Sequence, residues 1–424
     1  MSQRKRYVLA GTGGRGVGMF ARPLLEKFTR HCELVGFFDN NPLRIGGAND
    51  LLGTDLPGYT DYRRMLRELD PDAVIVATRD STHAEYIIKA LAAGKRVISE
   101  KPLCVDARQA RAILAAARKH RRRGAACWVT HNMRYGPDIG AMKRAIDSGA
   151  IGALRAVNFH ESLDRRHGAD YFRRWHREKR NSGGLLIHKA SHHFDALNWL
   201  VGSVPEKLSA SGDTVFYGRK GPHRGRRCKD CRHARKCDFH ADMWKHERNR
   251  KLYLDAEPAD GYVRDGCVFS PEADIEDQAS VLYTYRSGVH VTYSLTAFAS
   301  YEGCHILVEG TKGRLELKAV YDTKWAAGKV AIHGLEQLAG EELVLYSPKR
   351  GFRRLAVPRV AGSHGGADPQ LQHDFFGRPW DAKPTPRMAP LEQAVQAVLI
   401  GHAANVSIAR GGTPVDVQAF LKRG

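Results

Sequence analysis

Arg6-Tyr-Val-Leu-Ala10, followed at once by Gly11-Thr-Gly13-Gly14-Arg15-Gly16, is the stretch that decides the fold. The first five residues read as a short buried strand, and a helix begins near Val17 and runs towards Phe28. A Gly-x-Gly-x-x-Gly turn between a strand and a helix lets backbone approach a pyrophosphate. The helix start adds outward N–H groups and the positive end of the helix dipole. Gly11, Gly13, Gly14, Arg15 and Gly16 are therefore expected to touch a dinucleotide. Glycine-rich turns are common, so the motif needs support from the strands that follow.

That support comes next along the chain. Glu33 to Phe38 reads as a second strand ending at Asp39 and Asn40, a little over twenty residues past Gly16. An acid there hydrogen-bonds ribose hydroxyls and repels a 2′-phosphate, which favours NAD over NADP, while Arg44 leaves NADP open. The bland alternative for Asp39 is a turn residue before Asn40-Asn41-Pro42. Helix then alternates with strand: Tyr62–Leu69 helical, Asp72–Thr78 strand, Ser81 to about Ala93 helical, and Val97 onward strand. The pattern predicts a doubly wound parallel sheet over residues 1–128. Ligands bind beyond the carboxyl ends of such strands, where Thr78, His83, Glu100 and Lys101 fall.

A second informative stretch is Gly183-Gly184-Leu-Leu-Ile-His188-Lys189-Ala-Ser-His192-His193-Phe-Asp195. It puts three histidines, a lysine and an aspartate into eight residues of a segment that reads as one helix. Helical spacing would set His188, His192 and Asp195 on one face, with Lys189 and His193 on the next. Imidazoles beside a carboxylate suit acid–base work. Satisfied core histidines are the bland alternative, and a metal site is a second one, because His188 and His192 stand at i, i+4.

These segments together resemble the glucose–fructose oxidoreductase/inositol dehydrogenase (Gfo/Idh/MocA) family. The resemblance rests on the glycine turn, Ala77-Thr78 with His83, Val97-Ile-Ser-Glu-Lys-Pro102, Thr130-His-Asn-Met-Arg-Tyr135, Ser148-Gly-Ala-Ile-Gly152, the Gly183–Asp195 stretch and Glu309-Gly-Thr-Lys-Gly313. It implies a Rossmann domain at 1–128, then an α/β domain at 129–424 built on a large open, mostly antiparallel sheet. It assigns Lys101 and His192 to the catalytic pair, and a cis bond before Pro102 fits the turn that carries Lys101. It also implies a sugar or polyol substrate, NAD(P), and a homodimer or homotetramer formed through the open sheet face. The commonest family pattern has Asp where this chain has His188, so the usual substrate assignment does not transfer.

Other roles follow from residue chemistry. Asn132 stands with the cofactor contacts, and Asp195 is expected to hold the His192 imidazole. Arg134, Tyr135, Trp175, His188 and Lys189 are candidate substrate contacts; Trp175 between arginines suits a sugar face. Residues 217 to about 270 look like an insertion. Its Cys228-Lys-Asp-Cys231, with Cys237 and Cys267, is expected to hold a structural zinc, an iron–sulfur cluster being the runner-up and free thiols the bland alternative. Ala279–Tyr285 and His290–Ala297 alternate as strands, and Leu391–Ala409 reads as a long amphipathic helix.

Composition narrows the function classes. Lys plus Arg is 67 against 46 for Asp plus Glu, giving a net charge of +21. The excess is scattered and no nucleic-acid motif accompanies it, so nucleic-acid binding is not expected. No apolar run reaches the length of a membrane helix, and a cytoplasmic protein is expected. The favoured function is hydride transfer between NAD(P) and a hydroxyl carbon of a sugar, sugar derivative or cyclitol. Alternatives are an NAD-dependent glycoside hydrolase working by transient oxidation, elimination and re-reduction, and a non-catalytic Rossmann sensor.

Overall fold

A seven-stranded sheet carries the glycine turn at the end of its first strand. In the computed structural model, which describes residues 4–322, 324–325, 330–331 and 339–422, β1 spans Lys5–Ala10 and β2 Cys32–Phe38. They are followed by β3 at Gly58–Tyr59, β4 at Ala73–Val76, β5 at Arg96–Ser99 and β6 at Cys127–Val129. The order is Ala389–Pro390, β6, β5, β4, β1, β2, β3, with every pair parallel except the edge pair of Ala389–Pro390 and β6. Val8, Leu9, Val74, Ile75 and Val97 are fully buried, as strands covered on both faces require. Short acids and amides start the helices between them. Asn41 accepts the Arg44 N–H, Asp61 those of Arg63 and Arg64, and Asp106 that of Gln109.

The second sheet has nine strands. Among them β7 spans Leu154–Asp164, β8 Pro205–Asp213, β9 Gln278–Tyr285, β10 His290–Ala299, β11 Glu302–Gly310 and β12 Gly313–Asp322. The order is Gly351–Leu355, Gly340–Ser347, β12, β11, β7, β10, β9, β8, Val415–Asp416, and only the β10–β7 pair is parallel. One face is covered by the helix Ser191–Val201: the Phe194 ring meets Tyr293 at 4.9 Å, and the Tyr285 hydroxyl donates to Asn198 Oδ1 at 2.8 Å.

The chain folds as two compact units. One comprises Met1–Asn132, Asp242–Arg264 and Asp368–Val398; the other comprises Met133–Ala241, Asp265–Ala367 and Leu399–Gly424. The segment read as an insertion is therefore shared: its 242–264 part belongs to the unit with the parallel sheet, the rest to the unit with the antiparallel one. Among the described residues no helix is long and apolar enough to cross a membrane.

Candidate active site

The glycine turn sits where the sequence places it. Gly11 has φ of +97°, and a Cβ there would stand 2.5 Å from the Ala77 carbonyl oxygen, so no other residue fits between β1 and β4. Gly13 and Gly14 are half-buried beneath Tyr253, whose hydroxyl oxygen would stand 3.5 Å and 3.2 Å from a Cβ at each. The Gly14 N–H donates to the Tyr253 hydroxyl oxygen at 2.8 Å. A backbone N–H held by an oxygen acceptor is the contact that a pyrophosphate oxygen makes on such a loop, so the turn fits a dinucleotide. Tyr253 was not legible as part of this site.

Asp39 is buried at the end of β2 and heavily engaged. One oxygen accepts from the Thr12 N–H at 2.9 Å and the Thr12 hydroxyl at 3.1 Å. The other accepts from the Asn41 N–H at 3.0 Å and from Arg44 Nη1 at 2.9 Å. Asn40 is exposed; its neighbour Asn41 is the buried residue and donates to the Ala256 carbonyl at 2.8 Å.

Arg15, Glu100 and Asn132 form one network, joined by Asp368. Arg15 Nε meets Glu100 Oε1 at 2.7 Å, and its Nη1 meets Asp368 Oδ2 at 3.2 Å. Asn132 donates to Asp368 Oδ1 at 2.8 Å. Asp368 stands in the first turn of the helix Ala367–Phe376. The Lys101–Pro102 bond is cis, and the Lys101 N–H donates to Glu100 Oε2 at 2.9 Å. Buried His83 braces this turn: its two ring nitrogens face the Pro102 carbonyl at 2.8 Å and the Thr78 carbonyl at 3.1 Å. Burial pushes the His83 pKa down, so the neutral ring is favoured and one nitrogen donates. Its place is behind the turn. Half-buried Thr78 pairs its hydroxyl with that of Thr82 at 2.9 Å.

The histidine segment differs from a single helix. One helical stretch covers Leu185–His188 and the next Ser191–Val201. The Leu185 carbonyl accepts both the Lys189 N–H at 3.0 Å and the Ala190 N–H at 2.8 Å, a widened turn that inserts a residue. The histidines therefore lie on two helical stretches, buried His188 ending the first and half-buried His192 in the first turn of the second. The His188 ring lies 4.2 Å from that of His176 and 5.3 Å from Tyr171, and Trp175 stacks on His176 at 3.6 Å. Trp175 thus has one ring face covered by an imidazole.

Two further expectations change. Asp195 and Arg134 are both fully buried and form a two-pronged ion pair, Nε to Oδ2 at 2.6 Å and Nη2 to Oδ1 at 2.7 Å. Arg134 is therefore a core residue rather than a substrate-facing one, and Tyr135 beside it is buried as well. Both Asp195 oxygens accept from the Arg134 guanidinium, a partner that the sequence did not suggest.

Lys189 enters a network that the sequence did not suggest. Its amine lies 3.3 Å from Glu161 and 3.9 Å from Glu302. His167 bridges Glu302 at 2.8 Å and the Tyr171 hydroxyl at 2.7 Å, and His193 bridges Glu161 at 3.4 Å and the Tyr293 hydroxyl at 2.8 Å. Burial alone would lower the Lys189 pKa, but Glu161, Tyr171 and Glu302 outweigh it and hold the amine charged. Burial would raise Glu302, yet His167 and Lys189 pull it to about 2. Lys189 is thus a fixed cation, suited to anchoring an electronegative group and unsuited to acting as a base.

Metal binding is not supported. Among the described residues no group of three or more His, Cys, Asp or Glu side chains is arranged to hold a metal ion. That applies to Cys228, Cys231, Cys237 and Cys267 and to His188, His192 and Asp195. All eight cysteines are free thiols, and Cys228 Sγ takes hydrogen bonds from Arg173 at 3.1 Å and the Ala241 N–H at 3.5 Å. Burial, with Cys228, Cys267 and Cys231 nearby, pushes the Cys237 thiol up.

A parallel sheet with this turn and a β2 acid defines an NAD-binding oxidoreductase domain. Comparison with known proteins places it. Residues 5–131 match the Gfo/Idh/MocA profile described as "Oxidoreductase family, NAD-binding Rossmann fold", and residues 143–417 match that of its "C-terminal alpha/beta domain". The chain belongs to the Gfo/Idh/MocA oxidoreductase family. It is 33% identical over 391 residues to "Putative oxidoreductase YteT" of Bacillus subtilis (strain 168), covering 88% of each chain. It is 32% identical to the inositol 2-dehydrogenase of Rhizobium meliloti (strain 1021) over 147 residues, 35% of this chain and 42% of that protein. Its fold is similar to that of levoglucosan dehydrogenase in complex with NADH and levoglucosan (TM-score 0.66, 20% identity, 98% of this chain and 100% of that one). It is also similar to the WlbA dehydrogenase of Bordetella pertussis in complex with NADH and UDP-GlcNAcA (TM-score 0.65, 18% identity, 98% and 99%).

Proposed function

We propose that the protein is an NAD-dependent dehydrogenase of a sugar, sugar derivative or cyclitol. Two observations carry the cofactor half: the Gly14 N–H of the glycine turn donates to an oxygen acceptor, and a buried Asp39 at the end of β2 accepts the Thr12 N–H of the same turn. NAD, when bound, supplies the hydride acceptor. Gly13 and Gly14 receive the pyrophosphate, Asp39 orients the ribose, and Arg15, Glu100, Asn132 and Asp368 fix the turn that carries Lys101. Lys101 and His192 move the hydroxyl proton, since an alcohol carbon gives up hydride only as its oxygen loses a proton. Lys189 and His188 orient the substrate, with Lys189 acting as a permanent cation. The relatives' names support a carbohydrate or cyclitol: inositol for one, levoglucosan and UDP-GlcNAcA for two others. We also assign the open face of the antiparallel sheet to a homodimer or homotetramer contact.

The test is NADH formation from NAD across a panel of sugars, uronates and cyclitols. At least one member should give substrate-dependent NADH, and His192→Ala should cut the rate by ~100-fold or more. An active enzyme indifferent to both His192→Ala and Lys101→Ala would overturn the residue assignments.

A further inference from the structure

The 242–264 segment belongs to the same compact unit as the parallel sheet, and the contacts between them are built rather than incidental. Leu252 is fully buried against Val17 and Ala48. A Cβ at Gly47 would stand 2.6 Å from the Lys251 carbonyl oxygen, so the segment lies flush on the helix Pro42–Leu52. Asn41 ties it down again through the Ala256 carbonyl. At its far end this segment delivers Asp260 to Arg44.

Arg44 is the residue that left NADP open in the sequence, because a guanidinium next to the β2 acid can take a 2′-phosphate. Here it is buried and committed on three sides. Nε donates to the Leu252 carbonyl at 3.0 Å, Nη1 to Asp39 at 2.9 Å and Nη2 to Asp260 at 2.6 Å. Two carboxylates face one guanidinium, so the local charge is one negative unit where the second phosphate of NADP would sit. Asp260 is itself held, accepting the Tyr262 N–H at 3.1 Å.

We propose that Asp260 is a specificity-determining residue for the dinucleotide: with Asp39 it pins and neutralises Arg44, so the site takes the free 2′-hydroxyl of NAD and rejects the 2′-phosphate of NADP. The proposal rests on the cofactor reading above and adds a residue more than two hundred positions from the glycine turn. Substituting Asp260 removes the charge that competes for Arg44, and Arg44 becomes free to receive a phosphate. Its hydrogen bonds to Asp39 and Leu252 keep it near the ribose.

The test is calorimetric titration of the full chain with NADH and NADPH, for wild type, Asp260→Asn, Asp260→Ser and Asp260→Asn/Arg44→Gln, with thermal melting as the check on folding. Wild type should prefer NADH by about tenfold or more. Asp260→Asn and Asp260→Ser should narrow that preference about tenfold, mainly through tighter NADPH binding, and Arg44→Gln should remove the gain. A ratio unchanged in folded Asp260 variants, or a gain that survives Arg44→Gln, overturns the proposal while leaving the cofactor reading intact. Wild type binding neither dinucleotide overturns both.

Discussion

The Tyr253 hydroxyl oxygen accepts the Gly14 backbone N–H at 2.8 Å across 239 residues of sequence, so a side chain from a distant segment holds the loop that meets a pyrophosphate. An incoming phosphate oxygen must take that N–H from the tyrosine. A hydrogen bond of this kind is worth ~0.5–1.5 kcal/mol. We expect Tyr253→Phe to tighten NADH binding by about two- to tenfold in a fluorescence titration. Weaker binding would mean that the hydroxyl serves as a ligand to the cofactor rather than its competitor.

The Arg134–Asp195 pair should be a stability element. Removing one partner leaves a charge buried and uncompensated, at a cost of ~3–5 kcal/mol. Asp195→Leu and Arg134→Met should each lower the urea midpoint strongly, whereas Asp195→Leu/Arg134→Met together should cost less than the sum of the singles. Additive losses would show that the two groups do not act on each other.

Acid sensitivity should trace to Glu302. Its ordinary pKa of 4.5 falls to about 2 in the fold, where burial opposes ionisation but His167 and Lys189 overcome it. A depressed carboxylate contributes stability that is fully present above 4.5 and is lost as pH falls towards 2. Urea midpoints should therefore decline for wild type between about pH 4.5 and 2, and Glu302→Gln should flatten part of that decline. An identical slope in the two proteins would place the acid transition elsewhere.

Gly11→Ala should not be tolerated. The backbone there is left-handed, and the new methyl would meet the Ala77 carbonyl. We expect a lower melting temperature together with loss of NADH binding, and retention of both would mean that the turn relaxes.

Much of the first unit was legible because its signals are local. A buried apolar strand, a glycine turn and an acid ending the next strand each lie within a few residues, and the strands beyond follow the same rhythm. The antiparallel sheet was legible from the alternation in β9 and β10. What escaped was set by distance or by geometry without a residue signature. Tyr253 and Asp260 reach the glycine turn and its surroundings from far along the chain, and nothing in their neighbouring residues marks them for it. The widened turn at Leu185–Ala190 contains neither proline nor an interior glycine, so the segment read as one helix where the chain forms two helical stretches. Arg134 read as a substrate group because a charged side chain is ordinarily solvated; its burial against Asp195, like the ion pairs of Lys189 with Glu161 and Glu302, could be learned only from the folded chain.

The most direct measurement of the central claim is isotope transfer. A panel sugar or cyclitol that yields NADH is supplied with deuterium on its reacting carbinol carbon, and the reduced cofactor is weighed by mass spectrometry. We expect one deuterium in the NADH formed by wild type, with formation collapsing in Lys101→Ala. Reduced cofactor without deuterium, or no reduced cofactor from any panel member despite NAD binding, would contradict direct hydride transfer by this protein.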